Sequence, residues 1–335
     1  MITMEIRKVQ KTGGSSYVIT LPKTWITSLK IKEKDKLAIL SQPDGTLLVT
    51  ADLNRNKINR TKNIEVNDET EGNYLLRSLI GSYIMGFGFI KINSTKKLTP
   101  EIRRVIMEFT KTVIGFEIVE ETLNSILIKD LLNPTQMPFD KSIKRMNILV
   151  RTMHEDVMMA LNGSDAELAR DVIDRDIEIN RRYRLIARQS NMVLHDVILA
   201  QKMSVTLEDA HHYFLVSKQL ERVGDHAKIL SENVQRLIEA GADDEIRAII
   251  TKSSELSIEF LKESLQAWEE RDLNLANQCI ENIEVVKETC EKITRYAINA
   301  PEISVSLGYI AESINRTAEY AVNIAEIVFD NLLKD

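Results

Sequence analysis

The spacing of apolar and polar positions divides the chain into three stretches with different periods. From Ile6 to Thr50, short β-rich runs (IRKV, YVITLP, KLAIL, TLLV) are cut by turn residues at Gly13-Gly14-Ser15-Ser16 and Gln42-Pro43-Asp44-Gly45, with KTWITSLKI offering one or two helical turns between them. From 61 to 135 the pattern alternates through KNIEV, the helical LLRSLIGSYIMGF, FIKIN, the helical PEIRRVIMEFTKTVI, FEIVEE and SILIKDLL. That is a βαβαββ order, which predicts a small α/β layer with helices over one sheet face. From Asp140 onward the period is helical. Asn162 and Gly163 end a first helix, Ser164 with Glu167 reads as a capping box for the second, and Thr206 with Asp209 opens another that ends near Ala240 and Gly241. Three further helical stretches follow, with breaks near Arg271-Asp272 and Ala300-Pro301.

The expected fold class is therefore multidomain α+β. A small β domain spans 1–55, an α/β connecting domain 56–136, and an all-α part 137–335. The all-α part repeats itself. Asp165-Ala166-Glu167-Leu168-Ala169 aligns with Asp272-Leu273-Asn274-Leu275-Ala276, and Glu221-Arg222-Val223-Gly224-Asp225-His226-Ala227 with Asn315-Arg316-Thr317-Ala318-Glu319-Tyr320-Ala321. A three-helix unit has been duplicated, with repeats at about 137–241 and 242–335. Glycine inside a helix costs about 1 kcal/mol relative to alanine, so Gly224 and Ala318 are expected to mark a close helix contact.

Composition changes the picture mainly in what it says about partners. With 44% hydrophobic and 28% charged residues, folded domains are expected throughout. The net charge of −6 conceals a division: residues 1–60 carry 11 Lys and Arg against 5 Asp and Glu, and the remainder carries 33 against 45. A basic head precedes an acidic body, which points to a polyanion partner for one and cations or basic partners for the other. No run approaches the roughly 20 apolar residues of a membrane span, and MITMEIRKVQKTGG has no apolar signal core, so a cytoplasmic location without membrane insertion is expected. Cys279 and Cys290, eleven residues apart in helical sequence, are too distant to bridge and read as plain buried thiols.

The head offers Arg7, Lys8, Lys11, Lys23 and Lys30, with the hydroxyls of Ser15 and Ser16, for contact with phosphates. Such groups position a protein on DNA without reading its sequence. Four short strands bury little surface alone, so a partner subunit is expected. GGSSYVITLP, LKIKEKDKLAIL and DGTLLV resemble the swapped-hairpin domain of the AbrB and MazE type, and Gly14 through Pro22 follow the MazE-like run without a gap. The resemblance implies that two chains interleave into one barrel whose basic face meets DNA. This sequence departs from it at Thr20, Ile26 and Thr27, where base-reading arginines would stand. That favours weak or shape-led DNA binding. The competing reading is a dimerisation clip with a solvated basic face.

In the helical part, Glu221, Asp225 and Glu232 fall within about 40° on one helix face at 100° per residue. Asp174 and Glu178 form an i,i+4 pair on the preceding helix. LERVGDHAKILSE resembles the signature of the PhoU family of phosphate-response regulators. That resemblance implies two three-helix bundles, with acidic pairs on facing helices holding metal ions. Carried over by position, Glu221 and Asp225 are the implied ligands of the first repeat, with Asp174 and Glu178 as partners across the interface. Carboxylates alone suit hard cations such as Mg, Mn or Fe. The second repeat has Asn315 and Glu319, which puts a second site in doubt. An exposed face neutralised by Arg222, Lys228 and Arg175 competes with this reading. His226 reads as a hydrogen-bonded structural histidine, and Met153, Met158 and Met159 as helix core.

Two functions follow. The first is a dimeric, DNA-associated phosphate-response regulator whose bundle senses metal or contacts a phosphate-transport or signalling protein. The second is an adaptor that inhibits a phosphate transporter or its kinase, with the head serving only to dimerise. A carboxylate-bridged metal enzyme would need a pair of ExxH motifs, which the sequence does not supply, and no nucleophilic triad has supporting spacing, so no enzyme is expected.

Overall fold

The computed structural model describes residues 5–41, 45–51 and 60–333. Residues 42–44 of the expected turn at 42–45 and the expected domain boundary at 55/56 lie outside them. The chain forms two compact units, residues 1–56 and 57–335.

In the first unit, β1 (Gln10–Thr12) and β2 (Ser16–Val18) form an antiparallel hairpin, closed by Gly13 at φ 64°. Helix α1 (Lys23–Ser28) follows Pro22, and β3 (Ala38–Ser41) pairs with β4 (Leu47–Thr50). The first strand is therefore not the IRKV run. Ile6–Val9 precede the ladder, whose first pair is Gln10↔Val18. No described residue of this unit is buried; Ile6, Tyr17 and Ile39 are 88%, 70% and 65% exposed.

The second unit begins with the α/β layer: β5 (Thr61–Val66), α2 (Gly72–Ile84), β6 (Phe89–Ser94), α3 (Pro100–Thr112), β7 (Phe116–Glu121) and β8 (Ser125–Asp130). The sheet order is β5-β6-β8-β7, with β5 parallel to β6 and the other pairs antiparallel. The parallel pair requires a crossover, which α2 supplies. Helix α3 is well specified at its start, since Thr99 accepts from the Ile102 N–H and Pro100 occupies the first turn. Leu79, Tyr83, Ile90, Ile92, Phe109 and Phe116 fill the core between sheet and helices. Gly86, at φ 80°, makes the turn after α2.

The helical part comprises α4 (Phe139–Gly163), α5 (Ala166–His195), the short α6 (Val197–Lys202), α7 (Leu207–Ala240), α8 (Asp244–Glu270), α9 (Leu273–Glu281), α10 (Glu284–Ile298) and α11 (Ser304–Leu332). Thr206 and Asp209 form the expected capping box, and Gly241 closes α7 in the left-handed region. The box expected at Ser164 and Glu167 does not form. Ser164 is the left-handed cap of α4, and Asp165 accepts from Glu167 N and Leu168 N to start α5. Asp272 caps α9 in the same way in the second repeat, where the middle helix is broken at Asn282 into α9 and α10. Met153 and Met158 are core as expected, but Met159 is 57% exposed. Both cysteines are free and buried, one on α9 and one on α10.

Helix α5 ties layer and bundle into one body. Residues 185–190 are buried at all six positions, so every side of that turn and a half is covered. Arg188 forms an ion pair with Asp130, donates to the Tyr83 carbonyl, and lies over the Tyr83 and Phe116 rings. Gln189 donates to the carbonyls of Pro134 and Met137, and Arg184 to that of Thr112 at the end of α3 (2.8 Å).

Candidate functional site

The acidic site is built where α5 and α7 run antiparallel. On α5 the side chains facing the core follow a 3-4 spacing through Ala169, Val172, Ile179 and Ile186, all fully buried. On α7, Gly224 lets the helices close: a β-carbon there would stand 2.7 Å from Ile179 Cδ1 and 3.3 Å from its Cγ2. The expectation of a close contact at this glycine is met.

One turn either side of this contact, the carboxylates gather. Asp176 projects from α5, with Asn180 Nδ2 donating to its Oδ2 (3.0 Å) and Lys228 Nζ 3.9 Å from the same oxygen. Its other oxygen is buried and has no hydrogen-bond partner. Glu221 and Asp225, on α7, share its field. Burial first, then the charges of Asp225 and Asp176, push the Glu221 carboxyl up to about 6. Asp225 is also raised, by desolvation of its carboxyl and by Asp176, although the residue as a whole sits at the exposed margin. Asp176 is raised by burial and partly relieved by Lys228, Asn180 and Arg184. Asp176 thus disfavours ionisation of both Glu221 and Asp225, and Asp225 that of Glu221, with Lys228, Arg184 and Arg222 as resident counter-charges.

The four residues expected as ligands do not assemble as one set. Glu221 and Asp225 belong to the site, but Asp174 is solvent-exposed and Glu178 is engaged by Arg181 at 2.7 Å. At 100° per residue, Asp174 and Glu178 lie about 160–200° around α5 from Asp176, on the face turned away from α7. Asp176 is the acidic residue that the sequence reading missed. Its signal was the heptad phase, since it occupies the core position between Val172 and Ile179. Among the described residues no three His, Cys, Asp or Glu side chains already stand at metal-binding distances. Glu221, Asp225 and Asp176 nevertheless fit a hard cation in chemistry, being an all-oxygen set with one unsatisfied buried oxygen. In the second repeat the corresponding acid is already neutralised: Glu319 accepts from Asn315 (2.9 Å) and from Arg316 (2.7 Å).

His226 is no ligand of this group. Its Nδ1 lies 3.3 Å from Ser313 Oγ on α11, in keeping with the structural role expected for it. His154, fully buried on α4, is paired the same way with Ser254 on α8.

In the first unit, all seven residues expected to meet DNA are exposed. Arg7 and Lys8 precede β1, Lys11 lies in it, Ser15 is in the turn and Ser16 starts β2. Lys23 opens α1, and Lys30 follows that helix at φ 55°. Arg7 is the one of these with an ion pair among the described residues, to Glu5.

Comparison with known proteins finds matches to the first unit and to the helical part of the second. Residues 10–54 match the family model described as antidote-toxin recognition MazE, bacterial antitoxin. A phosphate-specific transport system accessory protein PhoU homolog of Burkholderia sp is 27% identical over 191 residues, spanning 54% of this chain and 80% of that protein. The homolog of Caulobacter vibrioides is 28% identical over 193 residues, spanning 56% and 83%. The solved PhoU of Pseudomonas aeruginosa, 21% identical, superposes with a TM-score of 0.48 over 57% of this chain and 93% of its own. The PhoU domain model matches residues 143–234 and 250–328, which are the two helical repeats and half of the sequence, and the chain belongs to that family.

Proposed function

We propose that this protein is a phosphate-response regulator that binds DNA as a dimer through its basic head and senses a hard divalent or trivalent cation at the Glu221–Asp225–Asp176 site. The observation that carries the reading is the pairing, in one chain, of a PhoU-family helical part with a MazE-like head. The relatives are phosphate-specific transport accessory proteins, which supports a role in phosphate status. The head supports self-association, because a β module with no buried residue among those described gains little from folding alone. Exposed Arg7, Lys8, Lys11, Lys23 and Lys30 support phosphate contact, with affinity that falls steeply as salt rises.

A cation bound at the acidic site would neutralise the carboxylates. Asp176 and Glu221 both act on Arg184, which also holds the Thr112 carbonyl of the α/β layer. A change of charge at the site is thereby felt at the layer, and a population shift between two arrangements follows. The second reading, an adaptor for a transporter or its kinase, is favoured by the accessory role of the relatives. DNA retention by the full-length protein at low and high salt separates the two. Salt-dependent binding lost in a Lys8→Ala, Lys11→Ala double variant supports the regulator, and no binding at low salt leaves the adaptor.

A further inference from the structure

A second site lies at one end of the bundle, apart from the acidic stripe. The N-terminal turns of α4 and α7 and the C-terminal ends of α8 and α11 enclose a cavity of about 280 Å³. Its floor is aromatic. Tyr213 and Trp268 meet edge to face at 5.2 Å and 83°, and Phe139 stacks behind Tyr213 at 5.0 Å. His212, 7% exposed, completes the floor, and its Nδ1 has no hydrogen-bond partner.

Charge on the rim is unevenly committed. Asp140 and Glu269 line the cavity and are exposed, and Asp209 lines it while its Oδ2 caps α7. Lys144 reaches Glu269 only at 3.8 Å, and Arg271 stands on the exposed loop after α8. The three carboxylates all push the Tyr213 hydroxyl upward, after burial, and Arg271 alone opposes them. Burial, then the neighbouring His211, favours the neutral form of His212, so its ring adds no positive charge beside the carboxylates.

We infer that this cavity binds an organic cation, a primary ammonium or guanidinium group, through the Trp268 and Tyr213 rings and the Asp140 and Glu269 carboxylates. Aromatic rings set at right angles beside carboxylates attract a desolvated cation through both quadrupole and charge. Three carboxylates, Asp140, Asp209 and Glu269, line the cavity against two cations, Lys144 and Arg271, so the charge balance favours a cation over an anion. Lys144 is the resident cation that such a ligand replaces at Glu269, and its long, exposed contact makes it easy to displace. The cavity is sized for one side chain or one small amine, which leaves two sources of the same chemistry: a free polyamine, or a basic side chain of a partner protein.

Calorimetric titration of the full-length protein at low salt tests this with spermidine and with a capped peptide carrying a single arginine between glycines. One or both should bind, and Asp140→Asn and Trp268→Phe should each weaken binding about tenfold, while Glu221→Gln leaves it unchanged. Asp140 is exposed, so its variant tests the site without disturbing the core. Spermidine binding alone assigns the site to a free amine, and peptide binding assigns it to a protein side chain. Binding by neither probe, or binding insensitive to both variants, overturns the inference.

Discussion

Arg188 and Asp130 meet through a 2.6 Å ion pair whose side chains are 3% and 2% exposed. The pair joins helix α5 to strand β8. Burial raises the Asp130 carboxyl even against the pull of Arg188, which is its one ion-pair partner among the described residues beside a 3.0 Å hydrogen bond from the Leu132 N–H. Arg188→Met strands a buried charge and should cost about 3–5 kcal/mol in urea unfolding. Adding Asp130→Leu should recover part of the loss, and the resulting double-mutant cycle should show strong coupling. Additive losses would show that the pair itself matters little.

The ring of His154 should make the protein acid-labile. It is fully buried, and burial, followed by the charge of His226, pushes it from 6.5 down to about 4. The unfolded chain therefore binds a proton that the folded chain refuses across that window. Stability is complete above about pH 6.5 and falls as pH drops toward 4, by about 3 kcal/mol. His154→Leu should flatten this part of the stability profile, measured by urea unfolding at pH 7 and pH 4. An unchanged slope would assign the acid sensitivity elsewhere.

Gly224 and Ile179 should behave as one packing unit. Gly224→Ala gains helix propensity of about 1 kcal/mol but drives its β-carbon into the branched Ile179 side chain, and overpacking costs about 1–3 kcal/mol. The single variant should be destabilised by about 1 kcal/mol. Combined with Ile179→Val, which removes the nearer methyl, the alanine should become neutral or stabilising. Thermal unfolding of the four proteins of the cycle decides it, and simple additivity would contradict the proposed contact.

The cation proposal turns on which α5 carboxylate takes part. After loading with manganese and gel filtration, elemental analysis should find metal lost in Asp176→Asn to the same degree as in Asp225→Asn. Asp174→Asn should retain it. The reverse ranking would restore the i,i+4 pair read from the sequence.

Much of this architecture was legible because each element carries its own period. The alternation of KNIEV, FIKIN and SILIKD marked the sheet, and the recurrence of Glu221–Ala227 as Asn315–Ala321 marked the duplication. The errors lie where local pattern met tertiary geometry. Ser164 looked like a cap, but Asp165 one residue on could reach two N–H groups, and Ser164 was left to turn the chain. Asp174 and Glu178 looked like a ligand pair because i,i+4 spacing puts them on one face, and spacing alone does not say which face meets α7. Asp176 was hidden because an aspartate in a core position breaks the apolar pattern that would have revealed it. The cavity beside Trp268 could not be read at all, since it is assembled from four helices spread along the chain from Asp140 to Asn331.

The fully enclosed turn and a half of α5 also sets how the molecule comes apart. An amide in residues 185–190 meets solvent only when the α/β layer has left one side and the bundle the other. Layer and bundle each have a core of their own, yet neither can open around this segment independently. Those six backbone hydrogens should therefore exchange with solvent among the slowest of residues 60–333, a clock for the separation of layer from bundle.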